Sequence, residues 1–163
     1  MNASRSDIFL RVQTRRAGEV KGEAATDGHV GEIELRSWGW GVSASSAIGA
    51  IGAAERRSYT QLVVQKGIDS ASTGLLNALA GNDEVKQAVL TMRKAGGEAL
   101  DYFTLTLGGA RIVGVEIDVD ASGQPIERVS FAFTKVEIEY QKQERSGQGG
   151  GAFTFSDELV AAG

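Results

Sequence analysis

Apolar and polar residues alternate along most of this chain with a period of two, which is the pattern of a β-strand that buries one face. Glycines and short polar stretches separate the alternating runs, as expected for turns between strands. The sequence therefore predicts a mainly β protein. The apolar positions that define the runs are Ile8, Leu10 and Val12; Ile33 and Leu35; Leu62 and Val64; Val85, Val89, Leu90 and Met92; Phe103, Leu105 and Leu107; and Val113, Val115, Ile117 and Val119.

Two of the runs change parity partway along. The apolar positions shift by one residue between Leu35 and Trp38, and again between Phe133 and Val136 in the last long run, IERVSFAFTKVEIEY. A shift of one residue moves the apolar side chains to the opposite face of a strand, so each run predicts a bulge or a change of packing face within one long strand. Long strands of this kind are typical of a strongly curved sheet or a barrel.

One helix is predicted, in the segment DSASTGLLNALAGND. Asp69, Ser70 or Ser72 can cap its N-terminus, and Gly81 is a typical C-terminal stop. The helix is short, so we expect packing against the strands to hold it in place. The apolar stripe that would face the core is formed by Leu75, Leu76 and Leu79.

Two segments fit neither pattern. Residues 43–56 are mostly small, apart from Ile48 and Ile51, and a loop this long is uncommon in a compact domain unless it has a function. Because two isoleucines would gain nothing from contact with water, we expect this loop to fold onto a partner surface. Residues 144–152 are rich in glycine and predict a flexible linker before a last short segment. The whole chain, 1–163, is predicted to be a single domain.

Composition and charge narrow the possible functions. The formal net charge of −4 argues against nucleic-acid binding, which usually requires a basic face. No apolar run approaches the roughly 20 residues that cross a bilayer, and the first residues lack a signal-peptide core, so we expect cytoplasmic synthesis and no insertion into a membrane. The chain has no cysteine, which excludes disulfides and thiolate metal sites.

No catalytic set can be assembled from the candidate residues. His29 is the only histidine, and its position in the turn TDGHVG predicts a surface side chain. Residues 118–127 resemble the opening of a calcium loop, but its twelfth position is Val129, so a polar turn is favoured. Glu137 and Glu139 share one face of a strand without a nucleophile or an oxyanion donor nearby. We therefore predict no enzyme activity, no metal and no cofactor.

The stretch RKAGG, residues 93–97, is predicted to be the tip of a hairpin. Strand patterns lie on both sides, so no helix N-terminus is available to hold an anion, and neither GxxxxGK[ST] nor GxGxxG occurs in the chain. Gly96 and Gly97 can supply the positive φ angles that tight hairpin turns require. A turn is therefore favoured over a phosphate-binding loop.

Both tryptophans of the chain, Trp38 and Trp40, lie two residues apart and therefore on one face of a strand. Aromatic pairs on strands can stack on bases or sugars. Basic residues do not surround this pair in the sequence, so packing in the core or at a subunit interface is favoured.

Several segments follow one another in the order and spacing of a known family. FLRVQ and KGEA precede GEIELRSWGWGVS, YTQLVVQKGID and a short helix after SAST; LTMRKAGGEALDYFTLTLGGARIVGV and VSFAFTKVEIEYQKQ then follow. From about Ile8 to Gln143 the chain resembles the hemolysin-coregulated protein (Hcp) family, the tail-tube component of the bacterial type VI secretion system. The segment after Gln143 departs from the family pattern.

The resemblance implies a small β-barrel of two curved antiparallel sheets with one short flanking α-helix. It also implies hexameric rings that stack into a hollow tube, exported without a signal peptide. The expected partners are further copies of the chain, the contractile sheath, spike and baseplate proteins, and small effector proteins in the lumen. Hairpin tips and the long loop would then meet the next ring, and the expected ring–ring contacts are Ile48, Ile51, Arg93, Lys94, Ala95, Gly96 and Gly97.

Two other functions stay open at this point. One is a tube protein of a related phage-like contractile particle, and the other is a non-catalytic monomeric module that binds a small ligand with its tryptophans. An effector enzyme fused to a tube-like domain is disfavoured, because the resemblance leaves only a short C-terminal segment for a catalytic domain.

Overall fold

A computed structural model describes residues 7–45, 57–94, 100–143 and 149–159. This part of the chain contains twelve β-strands and one α-helix, so the predicted mainly β class with one short helix is confirmed. The elements are β1 (Ile8–Thr14), β2 (Gly18–Val20), β3 (Ile33–Leu35), β4 (Ser37–Gly39), β5 (Val42–Ala44), β6 (Arg57–Tyr59), β7 (Leu62–Lys66), α1 (Ser72–Ala80), β8 (Val85–Arg93), β9 (Asp101–Val119), β10 (Pro125–Ala132), β11 (Lys135–Gln143) and β12 (Gly149–Glu158).

Strand β9 is the longest element and belongs to two curved antiparallel sheets. Its first half lies between β8 and β11, where Leu105 pairs with Leu90 on one side and with Ile138 on the other. Its second half pairs with β10, where Val115 lies opposite Val129. The sequence pattern divides this strand into two runs, but the structure shows one continuous strand of 19 residues. The first sheet also contains β1, β2, β3 and β12, and the second also contains β4 and β7.

The buried face of β9 changes parity at a glycine pair. Leu107 is fully buried before the pair, and Ala110 is fully buried after it, so the inward positions change from odd to even numbers. They return to odd numbers at Val115, after a register shift against β10 between Ser130 and Phe131. Gly109 makes this change possible because it has a φ angle of +52°, in the left-handed region that favours glycine. A Cβ atom at Gly109 would also collide with the hydroxyl of Thr134.

A second connection between the sheets lies at residues 33–39. Strand β3 pairs with β1, and β4 pairs with β7, so the parity shift between Leu35 and Trp38 falls between two short strands of different sheets and not within the one long strand that was predicted. Arg36 lies between the two strands, and its N–H donates to the carbonyl oxygen of Gln65 at 2.7 Å. The sheets are therefore joined here as well as through β9, but separate strands make the connection and the sheets do not close into a continuous barrel.

The last long run of the sequence is two strands rather than one. β10 and β11 belong to different sheets, and the parity shift falls in the corner between them. The N–H of Thr134, in that corner, lies 3.2 Å from the carbonyl oxygens of both Gly108 and Gly109. The chain therefore leaves one sheet and enters the other beside the point where β9 changes its buried face.

Helix α1 packs on the core through Leu75, Ala78 and Leu79. Leu76 is 39% exposed, so the predicted stripe was wrong at that position. Gly81 ends the helix as predicted, and its N–H donates to the carbonyl oxygen of Asn77 at 2.9 Å. No described helix is long and apolar enough to cross a membrane.

The predicted N-cap of α1 was wrong, because none of Asp69, Ser70 and Ser72 occupies the cap position. Ala71 occupies the cap position and provides no side-chain hydrogen bond to the helix. Asp69 instead accepts a hydrogen bond from the N–H of Ala71 at 2.9 Å, and the hydroxyl of Ser72 accepts one from the N–H of Asp69 at 3.0 Å. The two side chains brace the turn that precedes the helix.

The two predicted irregular segments are shorter than the sequence suggested. β5 includes residues 43 and 44 of the predicted loop 43–56 and pairs with β6, so a short antiparallel ribbon forms the base of this loop. β12 begins at Gly149, inside the predicted linker 144–152. The remaining positions, including Ile48 and Ile51, lie outside the described residues, as do 95–99 with Ala95, Gly96 and Gly97.

We expect Gly109→Ala to destabilise the fold by at least about 2 kcal/mol, because alanine is strained at a positive φ and its Cβ meets Thr134. Gly39→Ala is the matched control, since Gly39 lies in β4 with no positive φ and with open space where a Cβ would be placed. Urea unfolding of both variants measures the difference. Equal stability of the two variants would show that the glycine in β9 is not required.

Candidate functional site

The acidic candidates of the sequence do not form a metal site. In the described ranges, no three His, Cys, Asp or Glu side chains come together in a way that could hold a metal ion. Residues 118–127 form a hairpin turn in which Asp120 accepts hydrogen bonds from the hydroxyl of Ser122 and the N–H of Gln124, and these bonds lower the pKa of Asp120. Glu137 and Glu139 are exposed on β11.

His29 is buried, so the predicted surface position was wrong. Its side chain is 6% exposed, and its ring stacks on Phe9 with 4.3 Å between the ring centroids. Nδ1 lies 3.0 Å from Glu32, and Nε2 lies 3.0 Å from both carboxylate oxygens of Asp101. A neutral imidazole has a single N–H, so both contacts are hydrogen bonds only when the ring is protonated. The ring therefore fastens the 22–32 turn to the start of β9.

Arg93 also contacts Asp101, from the end of β8. Its Nε donates to Asp101 at 3.0 Å, and its Nη1 donates to the carbonyl oxygen of Asp27 at 3.0 Å. Burial tends to raise the pKa of Asp101, but hydrogen bonds from His29 and Arg93 outweigh it and hold this pKa below its usual value. Arg93 is thus engaged within the chain, whereas the neighbouring Lys94 is exposed.

The two tryptophans are half-buried and pack against the core. Trp38 stacks on Phe103 of β9, with 5.6 Å between ring centroids, and Trp40 lies 5.7 Å from Tyr59 of β6. The indole N–H of Trp40 is buried without a hydrogen-bond partner among the described residues. Their rings therefore line the boundary between the core and the surface.

Lys66 and Glu127 form an ion pair that is fully buried. The ammonium of Lys66 lies 3.1 Å from both carboxylate oxygens of Glu127, 2.8 Å from Asp69 and 3.1 Å from the hydroxyl of Ser72. These acceptors match the three N–H donors of a lysine ammonium. The cluster joins β7 and β10 to the start of α1.

The sequence contains a signal for this pair that the prediction of functional residues missed. Lys66 has the same parity as the buried Leu62 and Val64 in β7, and Glu127 has the same parity as Val129 in β10. Charged residues at inward positions of two alternating runs indicate a buried pair, because an unpaired charge in the core is very costly. Glu127 was instead compared with the glutamate that a calcium loop requires at its twelfth position, and it lies two residues too early for that role.

The β5–β6 ribbon is held against β12 by one carboxylate. Asp157 accepts hydrogen bonds from Arg57 at 2.6 and 3.0 Å and from the hydroxyl of Tyr59 at 2.5 Å. The bonds from Tyr59 and Arg57 lower the pKa of Asp157, while burial, followed by Asp157 itself, raises the pKa of Tyr59. The base of the long loop is therefore fixed to the edge of the first sheet.

Exposed apolar side chains gather at two sheet edges. One group lies on β11 and β12 and consists of Tyr140, Phe153 and Phe155. The other lies on the second half of β9 and includes Val113, Ile117 and Val119. Contiguous apolar surface at an unpaired edge marks a protein–protein contact more often than a ligand site. These edges are the best candidates for a functional surface.

Comparison with known proteins gives one consistent result. A family model described as "Type VI secretion system effector, Hcp" matches residues 9–140. Protein hcp1 of Pseudomonas aeruginosa is 32% identical over 145 residues, which cover 86% of each chain. The crystal structure of Hcp1 from Salmonella typhimurium superposes with a TM-score of 0.71 at 28% identity, over 94% of this chain and 95% of that one.

A more distant likeness of fold is found in a prophage baseplate. A chain from the cryo-EM structure of the anti-feeding prophage (AFP) baseplate matches with a TM-score of 0.51 and 14% identity. The match covers 85% of this chain and 95% of that one. At this identity the likeness concerns the fold alone.

We expect Lys66→Met to destabilise the protein by roughly 3–5 kcal/mol, because Glu127 would stay buried without its partner. The double variant Lys66→Met/Glu127→Leu removes both charges and should recover much of this loss. Urea unfolding of the two single variants and the double variant gives the coupling. Strictly additive losses would contradict the paired arrangement.

The stability that Asp157 provides should depend on pH. Because the folded state lowers its pKa, the contribution is present above the ordinary carboxyl value and is lost as the pH falls through the folded value. The stability difference between wild type and Asp157→Asn should therefore shrink below about pH 4. Glu158→Gln, at an exposed neighbouring site, is the control. A difference that stays constant from pH 7 to pH 3 would contradict this role.

Proposed function

The chain belongs to the Hcp family of the type VI secretion system, and we propose that it is the structural subunit of that system's inner tube. Six copies form a ring, and rings stack into a hollow tube that the contractile apparatus exports. The family match over residues 9–140 is the observation that carries this proposal. In this proposal the whole chain, 1–163, is one tube domain without catalytic activity.

The distribution of apolar surface supports assembly. A ring needs head-to-tail contacts, in which two different surfaces of the same chain complement each other. The chain offers two unlike apolar edges, one at β12 and the other at the second half of β9. A protein that works as a monomer would normally protect such edges with charges, prolines or covering loops.

Stacking is proposed to involve the 93–101 hairpin and the long loop. The contact residues in this proposal are those expected from the sequence: Ile48, Ile51, Arg93, Lys94, Ala95, Gly96 and Gly97. The internal hydrogen bonds of Arg93 give it a supporting role at the base of the hairpin, whereas the exposed Lys94 is available to a neighbouring ring.

The further partners follow from this role. The tube lies within a contractile sheath, starts from a baseplate and ends at a spike, and its lumen carries small effector proteins. The protein is made and assembled in the cytoplasm and then secreted by the apparatus itself. A tube protein of a related phage-like particle is the second candidate, which the likeness to the prophage baseplate chain favours at the level of the fold.

The proposal predicts hexameric rings of the purified protein, seen by native mass spectrometry and negative-stain microscopy, and tubes at high concentration. Gly96→Trp, and separately Ile48→Asp/Ile51→Asp, should leave the rings intact and block their stacking. Gly39→Trp is a control, because Gly39 lies in β4, outside the proposed contacts, with no positive φ and with open space beside it. A strictly monomeric wild type would contradict the tube and favour a binding module, whereas normal tubes from both stacking variants would contradict the assigned contacts.

A further inference from the structure

We infer that, within a ring, the aromatic face of β12 in one copy docks on the apolar edge of β9 in the next copy; this inference rests on the proposed function. It identifies the two surfaces that make the lateral contact.

Strand β12 forms one edge of the first sheet. Among the described residues it pairs with β11 alone, so the other side of a ten-residue strand has no backbone partner there. The strand contains neither lysine nor proline, the residues that most often protect a free edge against pairing with another chain. Its charged residues, Asp157 and Glu158, lie at one end, so the rest of the edge favours contact with a second chain.

The buried face of the first sheet continues to this edge, and among the described residues the β5–β6 ribbon covers it only at the Asp157 end. Leu105, Ile138 and Phe155 lie in register across β9, β11 and β12, and exposure rises from 0% at Leu105 to 44% at Phe155. In the neighbouring row, Tyr140 is 44% exposed and Phe153 is 61% exposed. Their rings lie 6.4 Å apart. These aromatic side chains form the outer end of a core-facing surface.

The second half of β9 forms an edge of the other sheet. Pairing with β8 ends at Ala110 and pairing with β11 ends at Gly108, so among the described residues the rest of the strand pairs with β10 alone. Ile117 lies directly opposite the buried Glu127, which places it on the core-facing side, yet it is 51% exposed. Val119 follows on the same side and is 60% exposed.

A second copy of the chain suits both edges better than another partner. At each edge, a core-facing surface ends in exposed apolar side chains. The two edges belong to different sheets, so the β12 edge of one copy can pack against the β9 edge of a neighbouring copy. Three half-exposed aromatic side chains offer on the order of 300 Å² of apolar surface. This is more than a third of the roughly 800 Å² that each partner contributes to a stable interface, before the strand backbones are included.

Cysteine cross-linking tests the docking directly, because the natural chain has no cysteine. Phe153→Cys and Ile117→Cys, mixed and oxidised, should give a disulfide-linked dimer, whereas each variant alone should give little. Thr154→Cys mixed with Glu116→Cys is the matched control, since both positions alternate with the docking positions and lie on the other faces of their strands. Abundant dimers from Phe153→Cys alone would indicate β12 against β12 and overturn the inference.

Assembly of charged variants gives the second test. Phe153→Asp/Phe155→Asp should raise the concentration needed for ring formation at least about a hundredfold. Thermal unfolding should change little, because both side chains are already exposed. Thr154→Asp/Ser156→Asp, on the opposite face of the same strand, should form rings at the wild-type concentration. If wild type and Phe153→Asp/Phe155→Asp form rings at the same concentration, the docking is overturned and the tube proposal is not. If the wild type is monomeric, both the tube proposal and the docking are overturned.

Discussion

Strand β9 forms hydrogen bonds with three other strands, and it can do so only because its buried face changes at Gly108 and Gly109. Before the glycines it presents Leu105 to the core of the first sheet, and after them it presents Ile112 on the other parity, until a register shift against β10 returns Val115 to the core side. The corner at Thr134 packs against this point and sends the chain from β10 to β11. The path of the chain through both sheets therefore depends on one residue with a positive φ.

The sequence predicts the elements better than their connections. Alternation of apolar residues is a local property, so the strands and the helix could be found from it. Whether two runs make one strand depends on partners far away in the chain. Gly108 and Gly109 have the composition of a turn, yet pairing with β8 and β11 keeps them within one strand although Gly109 has a positive φ. Phe133 and Val136 have the pattern of a bulge, yet they lie on either side of a corner between sheets.

The features of the candidate site that follow from local sequence motifs could be predicted. The features that follow from contacts between distant parts of the chain could not. Resemblance of ordered motifs identified the family without any structural information. The burial of His29 was missed because Phe9 and Asp101 meet it from two distant parts of the chain. Lys66 could have been recognised from its inward parity, but its carboxylate partner could be found only by pairing β7 with β10.

The carboxylate of Asp157 connects two surfaces to which we have assigned different roles. It lies in β12, and it holds β6 at the base of the long loop. By thermodynamic linkage, any contact that stabilises β12 would also stabilise the β5–β6 ribbon at the base of that loop. Lateral closure of a ring would then increase the affinity of that ring for the next one. Assembly would show a lag and rapid growth, as in nucleated polymerisation, and free subunits would rarely add to a tube one at a time.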